Sequence, residues 1–349
     1  MIENSPIPGK PVPAEPVVSV VIPAYNAEKT LRRAMDSVLQ ERTIPLELIV
    51  VDDGSTDATP ALIDAAAAVD SRVRRITQPN GHVAAACNTG VRASRGKYVA
   101  FLEADDEWLP GKLRQQLQIF ESCPQIGAVF TNFYNHDEIT DTTELLSEQQ
   151  KDVLALLPRK TIADHAVIID GDLRPYLLKS NFILRSSIMI PRNLLLDLGG
   201  QDENLRGDDD WDLWFRMGGK VKFAYLDQPL ALRHKRSDSM SRPSPNWYAA
   251  LIKSKKKSLD FVARTTELHG LVAPLRSHVC RLHRSLILSH VMRWEWLRAC
   301  GVFRASLEFG FDPVSFVLVG LGALGPIPFT VRRIVLGRLK SPNSIPTAE

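Results

Sequence analysis

Five consecutive residues near the end of the first third of the chain, Glu103-Ala104-Asp105-Asp106-Glu107, carry four carboxylates. They stand directly behind the apolar run Lys97–Leu102. Carboxylates packed this closely repel one another and are driven toward protonation unless a cation or hydrogen-bond donors sit among them. A hard divalent cation meets that need, because it takes oxygen ligands and keeps positions open for phosphate oxygens. Taken alone, the cluster also reads as a strand end followed by an acidic helix start, with Asp106 or Glu107 favoured by the helix dipole. Two more acidic stretches accompany it: Asp52-Asp53-Gly54-Ser55-Thr56-Asp57, and Asp208-Asp209-Asp210 behind Gly207.

The elements around these residues decide where the acids point. Val17–Ile22 is a β-branched run stopped by Pro23, and Leu46–Val51 is a second such run stopped by the Asp52–Asp57 stretch, so both read as buried strands. Apolar residues at helical spacing predict helices over Ala27–Leu39 and Thr59–Val69. A third strand over Val73–Thr77 leads to the turn Gln78-Pro79-Asn80-Gly81 and a helix over His82–Ser94. Lys97–Leu102 is the next buried strand, followed by a helix over Leu109–Ser122 and a strand over Ile126–Phe133. This βαβα series predicts a mostly parallel sheet whose acids emerge at the carboxyl edge, where open α/β sheets bind ligands. Tyr134–Lys179 lacks a clear period and reads as a variable insertion. Beyond it the pattern predicts a strand over Ile183–Ile190 and a short helix over Arg192–Leu198. Trp211, Trp214 and Phe215 then mark a helix that starts in acids, and two short strands follow over Lys222–Tyr225 and Pro229–Arg233.

From Asn246 onward the chain reads as helical and basic, with helices over Leu251–Arg264 and Val272–Val302. Between Ala231 and Lys340 nineteen Lys and Arg face six Asp and Glu, a local net of +13, which leaves −10 for the rest of a chain of net charge +3. Such a surplus suits phosphate-rich or anionic surfaces. No recognisable nucleic-acid-binding module accompanies it. Pro313–Val331 is uncharged but interrupted by Gly320, Gly322, Gly325, Pro326 and Pro328, so it reads either as insertion at an anionic membrane surface or as a hairpin packed within the carboxy-terminal region. The four cysteines, Cys87, Cys123, Cys280 and Cys300, have no metal-ligand spacing and read as reduced thiols. Residues 1–16 hold five prolines and read as a disordered lead-in with neither a signal peptide nor an anchor. The expected organisation is a tail over 1–16, an α/β domain over 17–245, a helical basic region over 246–341 and a tail over 342–349.

The order and spacing of Val18–Asn26, Val50–Asp57, Lys97–Trp108 and Gly207–Arg216 resemble inverting glycosyltransferases of family 2, over roughly Val17–Ser241. That resemblance implies the GT-A fold and transfer of a sugar from a nucleoside-diphosphate donor, a UDP-sugar by this reading, to a hydroxyl of a saccharide or lipid-linked acceptor. It implies a place in polysaccharide assembly for the cell envelope, in the cytoplasm or at the inner face of the membrane, with peripheral contact through the carboxy-terminal region. By resemblance, Pro23, Ala24, Tyr25, Asn26 and Asp53 hold the nucleotide, together with Asn80, Gly81, Glu103 and Ala104. Tyr25 offers a π-face and Asp53 an acceptor for a base N–H or ribose hydroxyl, while the plain structural alternative for Asp52-Asp53-Gly54 is a turn and helix cap. Glu103-Ala104-Asp105 takes the place of the family's Asp-x-Asp, with Asp105 on the metal, Mn²⁺ or Mg²⁺. Glu103 departs from the pattern by one methylene, and Asp106 with Glu107 is left to serve the following helix. Asp210 stands at the general-base position and Asp209 beside it, three adjacent acids raising one another's pKa. Trp211 and Trp214 are read either as shaping or supporting the acceptor pocket or as packing the core side of their helix. His234 and Arg236 match a basic loop over the diphosphate. Cys87 stands before Asn88 where the family commonly has Arg, so one cationic contact is expected to be missing. A non-catalytic nucleotide-sugar scaffold of the same fold is the alternative. A dinucleotide-binding oxidoreductase is excluded by Pro23-Ala24-Tyr25-Asn26 where a Gly-x-Gly-x-x-Gly turn would be needed.

Overall fold

The computed structural model describes residues 15–323 apart from 238, 240, 241 and 294. The expected amino-terminal tail up to residue 14, the carboxy-terminal tail and the 324–331 part of the uncharged segment lie outside the described residues. The chain divides into two compact units, one ending at Met240 and the other beginning at Ser241.

The first unit is built on one sheet. β1 (Val18–Ala24) and β2 (Leu46–Asp52) are buried along their whole length, as their β-branched runs require of central strands. They pair in parallel from Val18 opposite Leu46 to Ala24 opposite Asp52. Helices α1 (Leu31–Leu39), α2 (Thr59–Val69) and α3 (His82–Ala93) connect them to β3 (Val73–Thr77) and β4 (Tyr98–Phe101), giving the parallel order β3-β2-β1-β4. The chain then forms the two-residue β5 (Glu107–Trp108), α4 (Lys112–Ser122) and the long β6 (Ile126–Asp137). The insertion contains β7 (Thr142–Leu145), α5 (Leu146–Gln149), α6 (Lys151–Ala155), β8 (Arg159–Ala163), β9 (Ala166–Ile169) and α7 (Arg174–Leu177). β10 (Ile188–Pro191), α8 (Arg192–Asp197), α9 (Asp209–Met217) and β11 (Lys222–Lys235) complete the unit. β10 runs antiparallel between β4 and β6, and β11 lies parallel to β6. β9 and β8 extend the sheet antiparallel beyond β11.

Several expectations shift, each for a local reason. α1 begins at Leu31 rather than Ala27, because the Ala27 N–H donates to Thr59 Oγ1 at 2.8 Å and the Glu28 N–H to Asp57 Oδ2 at 3.1 Å, which ties the segment to the neighbouring loop. The insertion joins the sheet, with Ile168 and Ile169 buried. Lys222–Tyr225 and Pro229–Arg233 form one strand whose register slips on both sides of Pro229, where the missing N–H breaks the ladder. The strand expected over Ile183–Ile190 starts only at Ile188, because Arg185–Ser187 form a 3-10 turn.

The second unit is helical. α10 (Pro245–Ala263) opens with Ser244 Oγ accepting from the Trp247 N–H at 3.1 Å and with proline at its first position. The long helix expected over Val272–Val302 breaks into α11 (Val272–Val291) and α12 (Trp296–Ser306). The break is closed by the Glu295 N–H donating to His290 O at 3.0 Å and by the Glu295 carboxylate on His290 Nδ1 at 2.6 Å. α13 (Pro313–Ala323) follows, and Leu318 joins Ile287, Val291 and Ala299 in one buried cluster. Among the described residues no helix is long and apolar enough to cross a membrane.

α3, which carries Cys87 and Asn88, lies against β1 at a glycine. A Cβ on Gly90 would stand 2.3 Å from Val21 Cγ1. Gly90→Ala is therefore expected to destabilise the first unit by about 1–3 kcal/mol, with Val21→Ala in the same chain restoring part of the loss. Denaturant unfolding of the three variants measures this, and an unchanged midpoint for Gly90→Ala would show that helix and strand are free to separate.

Candidate active site

The carboxyl ends of β1, β2 and β4 carry the loops that the motifs predict. At the end of β1, Asn26 adopts φ 47° and its side-chain oxygen accepts from the Thr56 N–H at 2.8 Å. The Asn26 N–H donates to Ser55 Oγ at 3.0 Å, so the loops after β1 and β2 are laced together. Pro23 and Ala24 lie in β1 itself, opposite Val51 and Asp52, and the Tyr25 ring is 53% exposed beside them. Asp53 is buried, and its Oδ1 accepts from Gln78 Nε2 at 2.7 Å and from the Gly81 N–H at 2.9 Å. It therefore anchors the turn of exposed Asn80 and half-buried Gly81 to the sheet edge. Other residues hold the turn and the approach to α2: Asp52 Oδ1 accepts from the Ser55 N–H and Asp57 Oδ1 from the Thr59 N–H. Gly54, at φ +78°, is required here, since a Cβ would meet the Asn80 amide at 3.0 Å.

The acidic edge after β4 is held from three directions. The Glu103 N–H donates to Ser186 Oγ at 3.1 Å, and the Ser186 hydroxyl donates to Asp106 Oδ2 at 2.5 Å. Arg33 donates to the Asp105 carbonyl at 3.0 Å, while Arg236 Nη2 stands 3.6 Å from the Asp105 carboxylate. Asp106 Oδ1 accepts from the His234 N–H at 3.2 Å, and Glu107 Oε1 lies 2.8 Å from His234 Nε2 and 3.2 Å from Arg33 Nε. Asp106 and Glu107 therefore do not serve the next helix, as expected from their position; α4 begins only at Lys112, and these two acids bind the end of β11 instead. Burial, with the nearby Asp105 charge, pushes the Asp106 carboxyl up to about 8.

Asp209 and Asp210 open α9 behind Asp208, which takes φ 63°. Asp209 is buried and ion-paired to Arg185; the same guanidinium pairs with Glu103. Burial pushes the Asp209 carboxyl up to about 6, with Arg185 pulling down and Asp210 pushing up. Burial likewise raises Glu103, Arg185 opposing and the charges of Asp105 and Asp210 reinforcing it. Asp210 Oδ1 accepts from the Trp211 N–H at 2.6 Å. Trp211 is buried, donates its indole N–H to Leu177 O at 3.0 Å and stacks on Phe215 at 4.9 Å, so its ring is part of the core. Cys87 is fully buried, and burial raises its thiol pKa with the charges of Arg185, Glu103, Asp209 and Asp210 nearby. The cation whose charge acts at Cys87 is Arg185.

The structure therefore gathers Glu103, Asp105, Asp209 and Asp210 in one place, with His234 and Arg236 beside the acidic edge. Arg185, Ser186, Arg33 and Gln78 are the members that sequence reasoning missed. The one signal for Arg185 and Ser186 was a charged residue inside an otherwise apolar run, Ile183–Ile190.

An α/β sheet with parallel order β3-β2-β1-β4, an acidic edge behind β4 and an acid-led helix before the last long strand define a GT-A fold. Solved structures agree on the fold. S. aureus TarS 1-349 in complex with UDP superposes with TM-score 0.54 at 14% identity, covering 84% of this chain and 88% of that one. The mannosyltransferase PcManGT of Pyrobaculum calidifontis in complex with GDP-Man and Mn²⁺ gives 0.53 at 18% identity, covering 97% and 89%. Residues 19–179 match the family model Glycosyl transferase family 2. An uncharacterized glycosyltransferase of Rickettsia prowazekii is 27% identical over 220 residues, 63% of this chain and 64% of that protein. A chondroitin synthase of Escherichia coli is 38% identical over 122 residues, 35% of this chain and 18% of the synthase. The match thus spans less than two thirds of either relative.

Asn88 connects α3 to the loop that delivers α9. Its Nδ2 donates to Gln201 O at 2.8 Å and Glu203 Oε1 at 2.9 Å, and its Oδ1 accepts from the Gln201 N–H at 2.8 Å. Asn88→Ala leaves the buried Gln201 backbone without these partners and is expected to cost about 2 kcal/mol, read by chemical denaturation. A cost below about 0.5 kcal/mol, within the range of ordinary surface substitutions, would mean that the 200–203 loop is held elsewhere.

Proposed function

We propose that the chain is an inverting glycosyltransferase that moves a sugar from a nucleoside-diphosphate donor, taken as a UDP-sugar, to a hydroxyl of a saccharide or lipid-linked acceptor. The observation that carries the proposal is the convergence of Glu103 and Asp105 from the end of β4 with Asp209 and Asp210 from the start of α9, joined by ion pairs to Arg185. Tyr25, Asn26 and Asp53, with the Asn80-Gly81 turn that Asp53 holds, form the adjoining rim and are the donor-nucleotide contacts in this reading, together with Pro23, Ala24 and Ala104.

Asp210 accepts the proton of the acceptor hydroxyl as its oxygen attacks the anomeric carbon, and the bond from that carbon to the diphosphate oxygen breaks. Asp209, held by Arg185, supports it. Arg236 and His234 face the developing charge of the leaving diphosphate. A divalent ion, Mn²⁺ or Mg²⁺, supplies further neutralisation of that diphosphate when bound. The donor set fits such an ion held mainly by the substrate. Among the described residues no group of three His, Cys, Asp or Glu side chains converges to hold a metal. Asp105, with its side chain 28% exposed, supplies one hard oxygen ligand, and such ions commonly take one or two carboxylates plus phosphate oxygens. The Mn²⁺ and GDP-Man of the Pyrobaculum structure support the same reading.

Contact with an anionic membrane surface belongs to this proposal as well. Phe311 and Phe316 are 64% and 58% exposed in the second unit, which suits shallow insertion.

Asp210→Asn is expected to lower transfer by about 10²–10⁴-fold while UDP binding in the presence of Mn²⁺ persists. Normal turnover, or loss of UDP binding, would remove Asp210 from the base role. Asp105→Ala should abolish turnover together with its Mn²⁺ dependence, followed with and without chelator. A chain that binds nucleotide sugars but consumes none of them in the presence of Mn²⁺ would be a scaffold instead.

A further inference from the structure

Arg185 receives one carboxylate from each side of the site. Its Nη1 donates to Glu103 Oε1 and its Nη2 to Asp209 Oδ2, with the side chain only 7% exposed. Glu103 stands two residues before Asp105, and Asp209 immediately precedes Asp210. A planar guanidinium with two donor nitrogens in a fixed fork sets the separation of the two acids it binds, which a single ammonium does not. Cys87 of α3, fully buried and within reach of the Arg185 charge, is small and brings no cation of its own.

We propose that Arg185 is a positioning residue that sets the spacing between Asp105 and Asp210, and that Cys87 is the small neutral neighbour that leaves room for its guanidinium. This rests on the roles given above to Asp105 and Asp210. Arg185 acts through Glu103 and Asp209 and needs no substrate contact. Glu103 is accordingly the anchor of the acidic edge, and Asp105 is the carboxylate that meets the metal.

Three variants test this: Arg185→Lys, Arg185→Ser, and Cys87→Arg combined with Arg185→Ser, which moves the guanidinium to α3. Arg185→Lys is expected to bind UDP in the presence of Mn²⁺ within about threefold of the unmodified chain by calorimetry, while kcat falls about 100-fold, the penalty of a misplaced reacting group. The double variant should regain at least about tenfold of the kcat lost in Arg185→Ser. Turnover within about threefold of normal in Arg185→Lys would overturn the proposal. So would a fall in UDP affinity parallel to the fall in kcat, which would make Arg185 a donor contact. A second arm needs no activity. Arg185→Met should lower the thermal midpoint by several degrees, and adding Glu103→Gln and Asp209→Asn should restore most of it, because breaking a buried ion group costs more than replacing it. A further fall in the triple variant would overturn the ion triad. Failure to find any nucleotide sugar consumed would count against the transferase reading and leave the triad judged by this arm.

Discussion

Like charges cannot be packed together without a counter-charge, and the first unit is organised around that constraint. Glu103, Asp105, Asp106, Asp209 and Asp210 converge from two elements more than one hundred residues apart, and Arg185 is the cation buried among them. Transferring any one of these carboxylates from water costs several kcal/mol unless it is paired or hydrogen-bonded. Each buried member has a partner: Glu103 and Asp209 have Arg185, and Asp106 has Ser186 and the His234 amide. The turn at Arg185–Ser187 follows from this. A continuous strand there would alternate side chains to opposite faces, whereas consecutive residues Arg185 and Ser186 both serve the same acidic edge.

Backbone devices bring the elements to that edge. Gly90 lets α3 lie directly on β1, and Gly200, at φ +69°, lets the loop before α9 close on Asn88, where a Cβ would stand 2.3 Å from the side-chain oxygen. Asp53 performs the same service at the other rim. Because one of its oxygens accepts from Gln78 and the Gly81 N–H, it fixes the Asn80-Gly81 turn, and its second oxygen is available for other donors. Binding and structure need not compete for one carboxylate.

β1, β2 and β4 were legible because each is a short apolar run closed by Pro or acids, and all three are buried along their length. β7 and β8 are mostly exposed, so they carry no apolar pattern and the insertion read as irregular. The acids were legible through their local density. Arg185 was not, because its two partners lie 82 and 24 residues away in sequence, and a lone arginine in an apolar stretch announces neither of them. The charge of Arg185 acts at buried Cys87, which the residues around Asn88 do not announce in sequence.

By their place in the sequence Asp106 and Glu107 would serve the helix that follows, on the general rule that acids favour helix starts. The structure gives them to β11, where Asp106 takes the His234 amide and Glu107 the His234 ring. With β5 paired to Ala231 and Leu232, the acidic edge and the end of β11 form one piece of structure. Arg236, two residues beyond His234, is thereby delivered to Asp105 without depending on a free loop to find it. Preorganisation of this kind lowers the ordering cost of assembling the site, and it explains why an acid with no ligand to touch is buried at that edge: Asp106 is the joint between the two segments that face the diphosphate in the proposed reaction.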